Sequence, residues 1–117
     1  MKPADLAKIL RDPTTPKPVI LDIGVASRNK GGRITDSIAV GPASEAPNLE
    51  KLSAAVSTYP KDADLVIYCG CCPSKDCPNI RPAFQLLNEM KFTHHKLLYL
   101  PHNLKTDWIN RGFSTEK

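Results

Sequence analysis

The chain has 117 residues, of which 24% are charged, and a formal net charge of +4 at pH 7. This length fits one domain that can bury a hydrophobic core without disulfide or metal support. Lysine and arginine are scattered and form no basic stripe with interleaved aromatic residues, which argues against nucleic acid as a partner. No apolar run reaches the length of a membrane-spanning helix, so we expect no membrane partner either.

The chain opens at Met1 without a hydrophobic signal region. We expect a cytoplasmic location for the chain as written, and a periplasmic or secreted one if Met1 begins a piece trimmed from a longer precursor.

Apolar periodicity predicts strands and helices in alternation. In chain order, the predicted elements are a helix over 3–10, a strand over 19–23, a short strand around 38–40, a helix capped by Asn48, a strand over 65–68, a helix that begins after Asn79 and ends near Met90, a strand over 95–100, and a short helix over 104–110. Strands and helices that alternate at this spacing form βαβ units. We therefore predict a single α/β domain over 1–117, with a mostly parallel sheet and helices on both of its faces.

The most informative stretch runs from 64 to 87, because it holds all four cysteines of the chain. A buried strand leads directly into Cys69, and a helix with Pro82 in its first turn follows the cysteines. Ligands of parallel sheets bind outside the carboxyl ends of the strands, and a helix N-terminus favours an anion. A thiol in such a place tends to be a thiolate, the nucleophilic form. Cys69 is therefore predicted to be a sulfur nucleophile, which requires its sulfur to be reachable at the rim of the sheet.

The other cysteines leave several roles open. Four cysteines in one short segment do not form the disulfide framework of a small secreted domain. Cys71, Cys72 or Cys77 could resolve a persulfide on Cys69 or form a disulfide with it. The four sulfurs could instead bind a soft metal, zinc or copper(I), as a metal-binding module. Their Cys-x-Cys-Cys-x4-Cys spacing is not the paired Cys-x2-Cys pattern of zinc sites, so we assign no metal.

Four segments resemble the rhodanese-like domain, in the order in which that family has them. Residues 21–23, Leu-Asp-Ile, look like the family's Leu-Asp-Val-Arg strand. Residues 32–40 are similar to its Gly-His-Ile-Pro-Gly-Ala-Ile-Asn-Ile segment. Residues 67–69, Ile-Tyr-Cys, match the strand that ends on the catalytic cysteine. Residues 98–113, with a tryptophan and a final Gly-Phe pair, resemble the closing strand and loop.

This resemblance implies a three-layer rhodanese-like fold and a thiosulfate sulfurtransferase-like enzyme without a cofactor. By position, Cys69 would take a sulfane sulfur from a small anionic donor such as thiosulfate and hold it as a persulfide. The acceptor would be a thiol or a cyanide-like molecule, with a protein thiol as one option, and we expect a monomer. The loop after Cys69 would cradle the donor, and Lys75 and Arg81 flank that loop with positive charge. The residues expected to bind the substrate are Gly70, Cys71, Cys72, Ser74, Lys75 and Arg81.

Several features depart from the family pattern. Gly24 stands where the family usually has arginine, and Arg33 where it usually has histidine, so neither role transfers. The cysteine loop is longer than a common rhodanese loop by roughly four residues. Phosphatase relatives of the fold need a Cys-x5-Arg spacing, but Lys75 occupies the position six before Arg81, which argues against phosphate-ester hydrolysis.

Two further residues are predicted to be structural. Asp22 interrupts an apolar strand, and a buried carboxylate needs hydrogen-bond partners, which we expect in a neighbouring loop. Trp108 is predicted to be an anchor of the core.

Overall fold

A computed structural model describes residues 1–24, 33–69, 77–113 and 115–116. The helices are α1 (Pro3–Arg11), α2 (Ala46–Val56), α3 (Ile80–Glu89) and α4 (Leu104–Asp107), and a 3₁₀ turn (Ile109–Arg111) follows α4. The strands are β1 (Val19–Asp22), β2 (Arg33–Ile34), β3 (Ile38–Ala39), β4 (Leu65–Tyr68), β5 (His95–Leu97) and β6 (Thr115–Glu116). No helix in these ranges is both long and apolar enough to cross a membrane.

Four parallel strands form the main sheet, in the order β3-β1-β4-β5. The two central strands pair along their whole length, with Val19 opposite Leu65 and Asp22 opposite Tyr68. Their carboxyl ends therefore lie side by side at the middle of one sheet edge. The predicted α/β class with a mostly parallel sheet is confirmed.

Helices cover both faces of the sheet because the central strands are apolar on both sides. Leu65 and Ile67 of β4 belong to one core cluster, whereas Val66 and Tyr68 belong to the other, as the two-residue period of a strand requires. Residues of α2 and α3 complete the first cluster, and residues of α1 and α4 complete the second. We call these the α2–α3 face and the α1–α4 face.

The second helix begins earlier than predicted. Glu45, not Asn48, stands at its N-cap position, and the helix starts at Ala46. The helix can begin there because Pro47 falls in the first turn, where its missing N–H is not needed. The side-chain amide of Asn48 donates instead to the carbonyl oxygen of Pro42, at 2.9 Å.

The remaining differences concern short strands. β2 and β6 form a separate antiparallel pair of two residues each, too short for an alternating pattern to reveal. β5 ends at Leu97, three residues before the predicted end. The N–H of Leu98 still donates to the carbonyl oxygen of Ile67 at 2.9 Å, and the N–H of Tyr99 donates to the carbonyl oxygen of Met1 at 2.8 Å.

Candidate functional site

Cys69 directly follows β4, at the carboxyl edge of the sheet, as predicted. Its side chain, however, is fully buried, with 0% exposure, so the expectation of a sulfur reachable at the rim is wrong for this structure. The strand period explains the burial. Cys69 continues the series of Leu65 and Ile67, which turns its sulfur into the core of the α2–α3 face.

Cys77 lies in the same core cluster and is also buried, with 7% exposure. Cys69 and Cys77 are the two cysteines in the described part of the chain, and both are thiols rather than disulfide partners. The fold thus brings the end of β4 and the segment before α3 together around two sulfur atoms.

The side chain of Asn79 connects both thiols. Its amide nitrogen Nδ2 donates to Sγ of Cys69 at 3.6 Å and to Sγ of Cys77 at 3.7 Å. Its Oδ1 accepts the backbone N–H of Ser44 at 3.0 Å. Because a backbone N–H can only donate, this last bond determines which end of the amide faces the sulfurs. Asn79 itself is 3% exposed, and its contacts with the two sulfurs are buried.

Asn79 occupies the N-cap position of α3, as predicted, but its side chain makes no capping hydrogen bond. A capping side chain normally accepts the N–H of the second or third helical residue. The third helical residue here is Pro82, which has no N–H, and the backbone of Asn79 is helical rather than extended. The Asn79 amide therefore reaches back toward the end of β4.

The loop that carries Ser44 is held firmly between β3 and α2. Gly41 has a φ of 102°, and a Cβ at this position would lie 3.0 Å from Oδ1 of Asn48, so the turn requires glycine. The next part of the loop is tied to β1, because the N–H of Ala43 donates to the carbonyl oxygen of Ile23 at 3.3 Å. The Ser44 N–H is therefore presented to Asn79 by a loop with its own anchors.

A different polar cluster occupies the α1–α4 face at the same sheet edge. Asp22 is 2% exposed, and its Oδ1 accepts the backbone N–H of Gly24 at 3.0 Å, the loop contact expected from the sequence. The hydroxyl of Tyr68 accepts the N–H of Ile34 at 3.3 Å and lies 3.3 Å from Oγ of Ser37. Burial, and then the charge of the Asp22 carboxylate, raise the pKa of the Tyr68 phenol far above its ordinary value.

The structure locates only part of the predicted site. Arg81 is exposed in the first turn of α3, two residues after Asn79. Within the described ranges, no group of three or more His, Cys, Asp or Glu side chains is arranged to hold a metal ion. The predicted site residues that lie outside the described ranges are Gly70, Cys71, Cys72, Ser74 and Lys75.

Sequence reasoning missed the contact of Asn79 with the two sulfurs. The sequence predicts Asn79 only as a helix cap. No local pattern indicates that its amide contacts Cys69 at the end of β4. The sole sequence signal is Pro82, which removes one of the two N–H groups that a cap at Asn79 could bind.

No family model matches the chain, and no curated protein matches it. Its fold matches the solution NMR structure of a rhodanese-like domain from an Anabaena protein, with a TM-score of 0.67, 23% identity, and coverage of 99% of this chain and 76% of the other. The crystal structure of that Anabaena protein gives a TM-score of 0.69 at 24% identity, over 99% and 90% of the two chains.

A third similar structure is the crystal structure of a single-domain sulfurtransferase of Saccharomyces cerevisiae, with a TM-score of 0.65 and 15% identity over 96% of this chain and 89% of that one. All three likenesses extend over nearly the whole chain and concern its three-dimensional arrangement. The protein has the fold of a rhodanese-like domain.

Proposed function

We propose that the protein is a sulfurtransferase that carries sulfane sulfur as a persulfide on Cys69. The observation that supports this most is the position of Cys69 in a rhodanese-like fold. The residue directly follows the central strand β4, and one side chain, Asn79, links it to the N-terminus of α3. A structure of similar fold belongs to a protein described as a single-domain sulfurtransferase.

The proposed reaction has two displacement steps at sulfur. The Cys69 thiolate attacks the outer sulfur of thiosulfate, a bond forms between Sγ and that sulfur, and the sulfur–sulfur bond of thiosulfate breaks with its electron pair leaving on sulfite. A thiol or cyanide acceptor then attacks the outer sulfur of the persulfide, and the electron pair returns to Sγ of Cys69. The enzyme gains and loses no electrons over the cycle, so the reaction needs no oxidant and no cofactor.

Two features beside Cys69 favour an anionic sulfur and oppose the cost of its burial. The N–H of Asn79 and the N-terminus of α3 favour the thiolate over the thiol. In this proposal residues 70–76, which lie outside the described ranges, bind the donor, and the exposed Arg81 attracts it from solvent. The protein acts as a monomer, and its acceptor is a small thiol, cyanide or the thiol of another protein.

The burial of Cys69 sets a condition on this mechanism. A fully buried sulfur has to become accessible before a donor reaches it, through local opening at this edge of the sheet. Each 1.4 kcal/mol of opening free energy lowers the observed rate about tenfold. We therefore expect thiol reagents to modify Cys69 much more slowly in the folded chain than in the urea-unfolded chain.

A second candidate function is thiol–disulfide exchange, which the position of Cys77 favours. Its sulfur and that of Cys69 contact the same amide nitrogen. In this function the Cys77 thiolate attacks Sγ of the Cys69 persulfide, a disulfide forms between the two residues, and the outer sulfur leaves as hydrosulfide. A thiol reductant then restores both thiols by exchange.

Steady-state formation of thiocyanate from thiosulfate and cyanide tests the proposal. Cys69→Ser should lower kcat by at least about 1000-fold, because serine cannot accept the sulfane sulfur. The matched control is Cys77→Ser, in which the hydroxyl can still accept the Asn79 amide, and we expect it to retain most of the activity. Full activity in Cys69→Ser would overturn the assignment, whereas thiosulfate-dependent release of hydrosulfide that Cys77→Ser abolishes would favour the dithiol function.

A further inference from the structure

We propose that Asn79 is a positioning residue whose side-chain amide stabilises the thiolate form of Cys69 for sulfur transfer. The inference rests on the proposed function for the reaction that it serves. Its structural basis is the contact of the Asn79 amide with Cys69, Cys77 and the backbone of Ser44.

Both the nitrogen and the oxygen of the Asn79 side-chain amide make hydrogen bonds. A primary amide has two N–H donors, and the two sulfurs provide an acceptor for each. The Ser44 N–H occupies Oδ1, so a rotation of the amide by 180° would bring two donors face to face at Ser44 and turn an oxygen toward the sulfurs. The side chain is thus locked with its donors on the thiols.

The contact has a direct consequence for the charge on Cys69. A hydrogen bond to the charged form of an acid favours that form, whereas an apolar environment disfavours it. Most described members of the core cluster around Cys69 are apolar, with Leu21, Ile67 and Ala83 among them. The Asn79 amide therefore offsets part of the cost of a buried thiolate. It serves the persulfide in the same way, because Sγ remains the inner atom of that group.

In the described ranges, the elements around Cys69 carry other titratable or charged groups, of which Glu50, Lys51 and Glu89 are exposed on α2 and α3. Cys77 lies before α3, Arg81 lies exposed in its first turn, and Asp22 lies at the end of β1 with its Oδ1 bonded to Gly24. Substitution of Asn79 leaves each of them in place. A change in the behaviour of the Cys69 thiol can then be attributed to the amide.

Asn79→Asp keeps the contact with the Ser44 backbone and removes the contacts with the two sulfurs. A carboxylate can still accept the Ser44 N–H, but it has no donor for the sulfurs and places a negative charge beside them. Asn79→Ala is the second variant, because it removes the donor without burying a charge. Asn88→Asp is the matched control, since it adds the same charge to an exposed position near the other end of α3.

The measurement is the rate of iodoacetamide alkylation at Cys69 as a function of pH, with the site assigned by fragment-ion mass spectrometry. The plateau rate at high pH reports the opening of the buried site, whereas the midpoint reports the thiolate. If Asn79 had only a structural role, its substitution would change the plateau rate and leave the midpoint unchanged. Thiosulfate-dependent persulfide formation is measured on the same samples, and thermal melts establish that each variant is folded.

We expect the midpoint to rise by about one pH unit in Asn79→Asp, which is about a tenfold loss of thiolate at pH values well below the midpoint, and by less in Asn79→Ala. Asn88→Asp should match the wild type. An unchanged midpoint in both folded Asn79 variants would overturn the inference. A wild type that forms no persulfide would instead overturn the proposed function, and the alkylation midpoints would still test the contact.

Discussion

Tyr68 and Cys69 are neighbours at the end of β4, yet they face opposite sides of the sheet and have different surroundings. The Tyr68 hydroxyl lies among Ile34, Ser37 and the Asp22 carboxylate, in a network of oxygen and nitrogen atoms. Cys69 faces the core cluster of the α2–α3 face, where Asn79 donates to its sulfur at 3.6 Å. Both side chains are fully buried.

This difference suggests separate roles for the two residues at the end of β4: Tyr68 contributes to stability, and Cys69 contributes to the proposed chemistry. Hydrogen bonds to oxygen and to a carboxylate are strong, and a buried partner left without one is costly. Thiols are weak donors and acceptors, so moving Cys69 away from its amide costs less. We infer that the α1–α4 face fixes the end of β4, while the α2–α3 face holds a residue that is easier to expose. The following predictions test that separation.

The largest expected effect lies in the core of the α1–α4 face. Trp108 is fully buried there and packs edge-on against Phe113, with ring centroids 5.0 Å apart. Trp108→Ala should lower the free energy of unfolding by about 3–5 kcal/mol, measured by urea denaturation. The control is Tyr99→Ala, at an aromatic residue that is 42% exposed, with an expected change of about 0.5 kcal/mol or less. A smaller loss for Trp108→Ala than for Tyr99→Ala would contradict the assignment of the core.

A smaller effect is expected at Tyr68, and it should depend on pH. The unfolded phenol loses its proton near pH 10.0, whereas the folded one keeps it to higher pH, so the stabilisation is complete below pH 10.0 and declines as the pH rises above it. Between pH 9 and pH 11 the wild type should lose about 1.4 kcal/mol more than Tyr68→Phe. Urea denaturation of both proteins at several pH values measures this. Parallel declines would mean that Tyr68 ionises as easily in the folded state as in the unfolded one.

The smallest effect is expected at Arg81, where an exposed charge acts through solvent. Arg81→Ala should raise the KM for thiosulfate about two- to fivefold and leave kcat unchanged, because exposed charge pairs contribute about 1 kcal/mol or less. Added salt should reduce the difference. Arg11→Ala, on the opposite face of the sheet, is the matched control. Equal KM values for the two variants would remove Arg81 from the site.

Much of the fold follows from short-range patterns in the sequence. The apolar run of β4 and the stripe of α3 predict their own elements, because burial on one or both sides leaves a period that can be read locally. Pro82 restricts where α3 begins, and the structure begins it at Ile80. The sequence predicts too late a start for α2, because Asn48 and Pro47 both signal a helix start and the structure follows the proline.

The candidate site is harder to predict from local sequence patterns than the fold is. The place of Cys69 at the carboxyl edge follows from its sequence position after a strand. Its burial depends on how α2 and α3 close over the sheet, and the contact of Asn79 with two sulfurs and Ser44 joins three separate segments. Contacts of this kind have no local period. They depend on the tertiary arrangement of parts that are each predictable.

The measurement that tests the central claim most directly is the site of sulfur uptake. The reduced protein is treated with thiosulfate, its intact mass is recorded, and the modified residue is located by fragment-ion mass spectrometry after the persulfide is trapped with an alkylating reagent. We predict the gain of one sulfur atom on Cys69 and its loss on addition of cyanide. A sulfur atom found first on another cysteine, or no uptake by a folded and fully reduced chain, would contradict the assignment of Cys69 as the sulfur carrier.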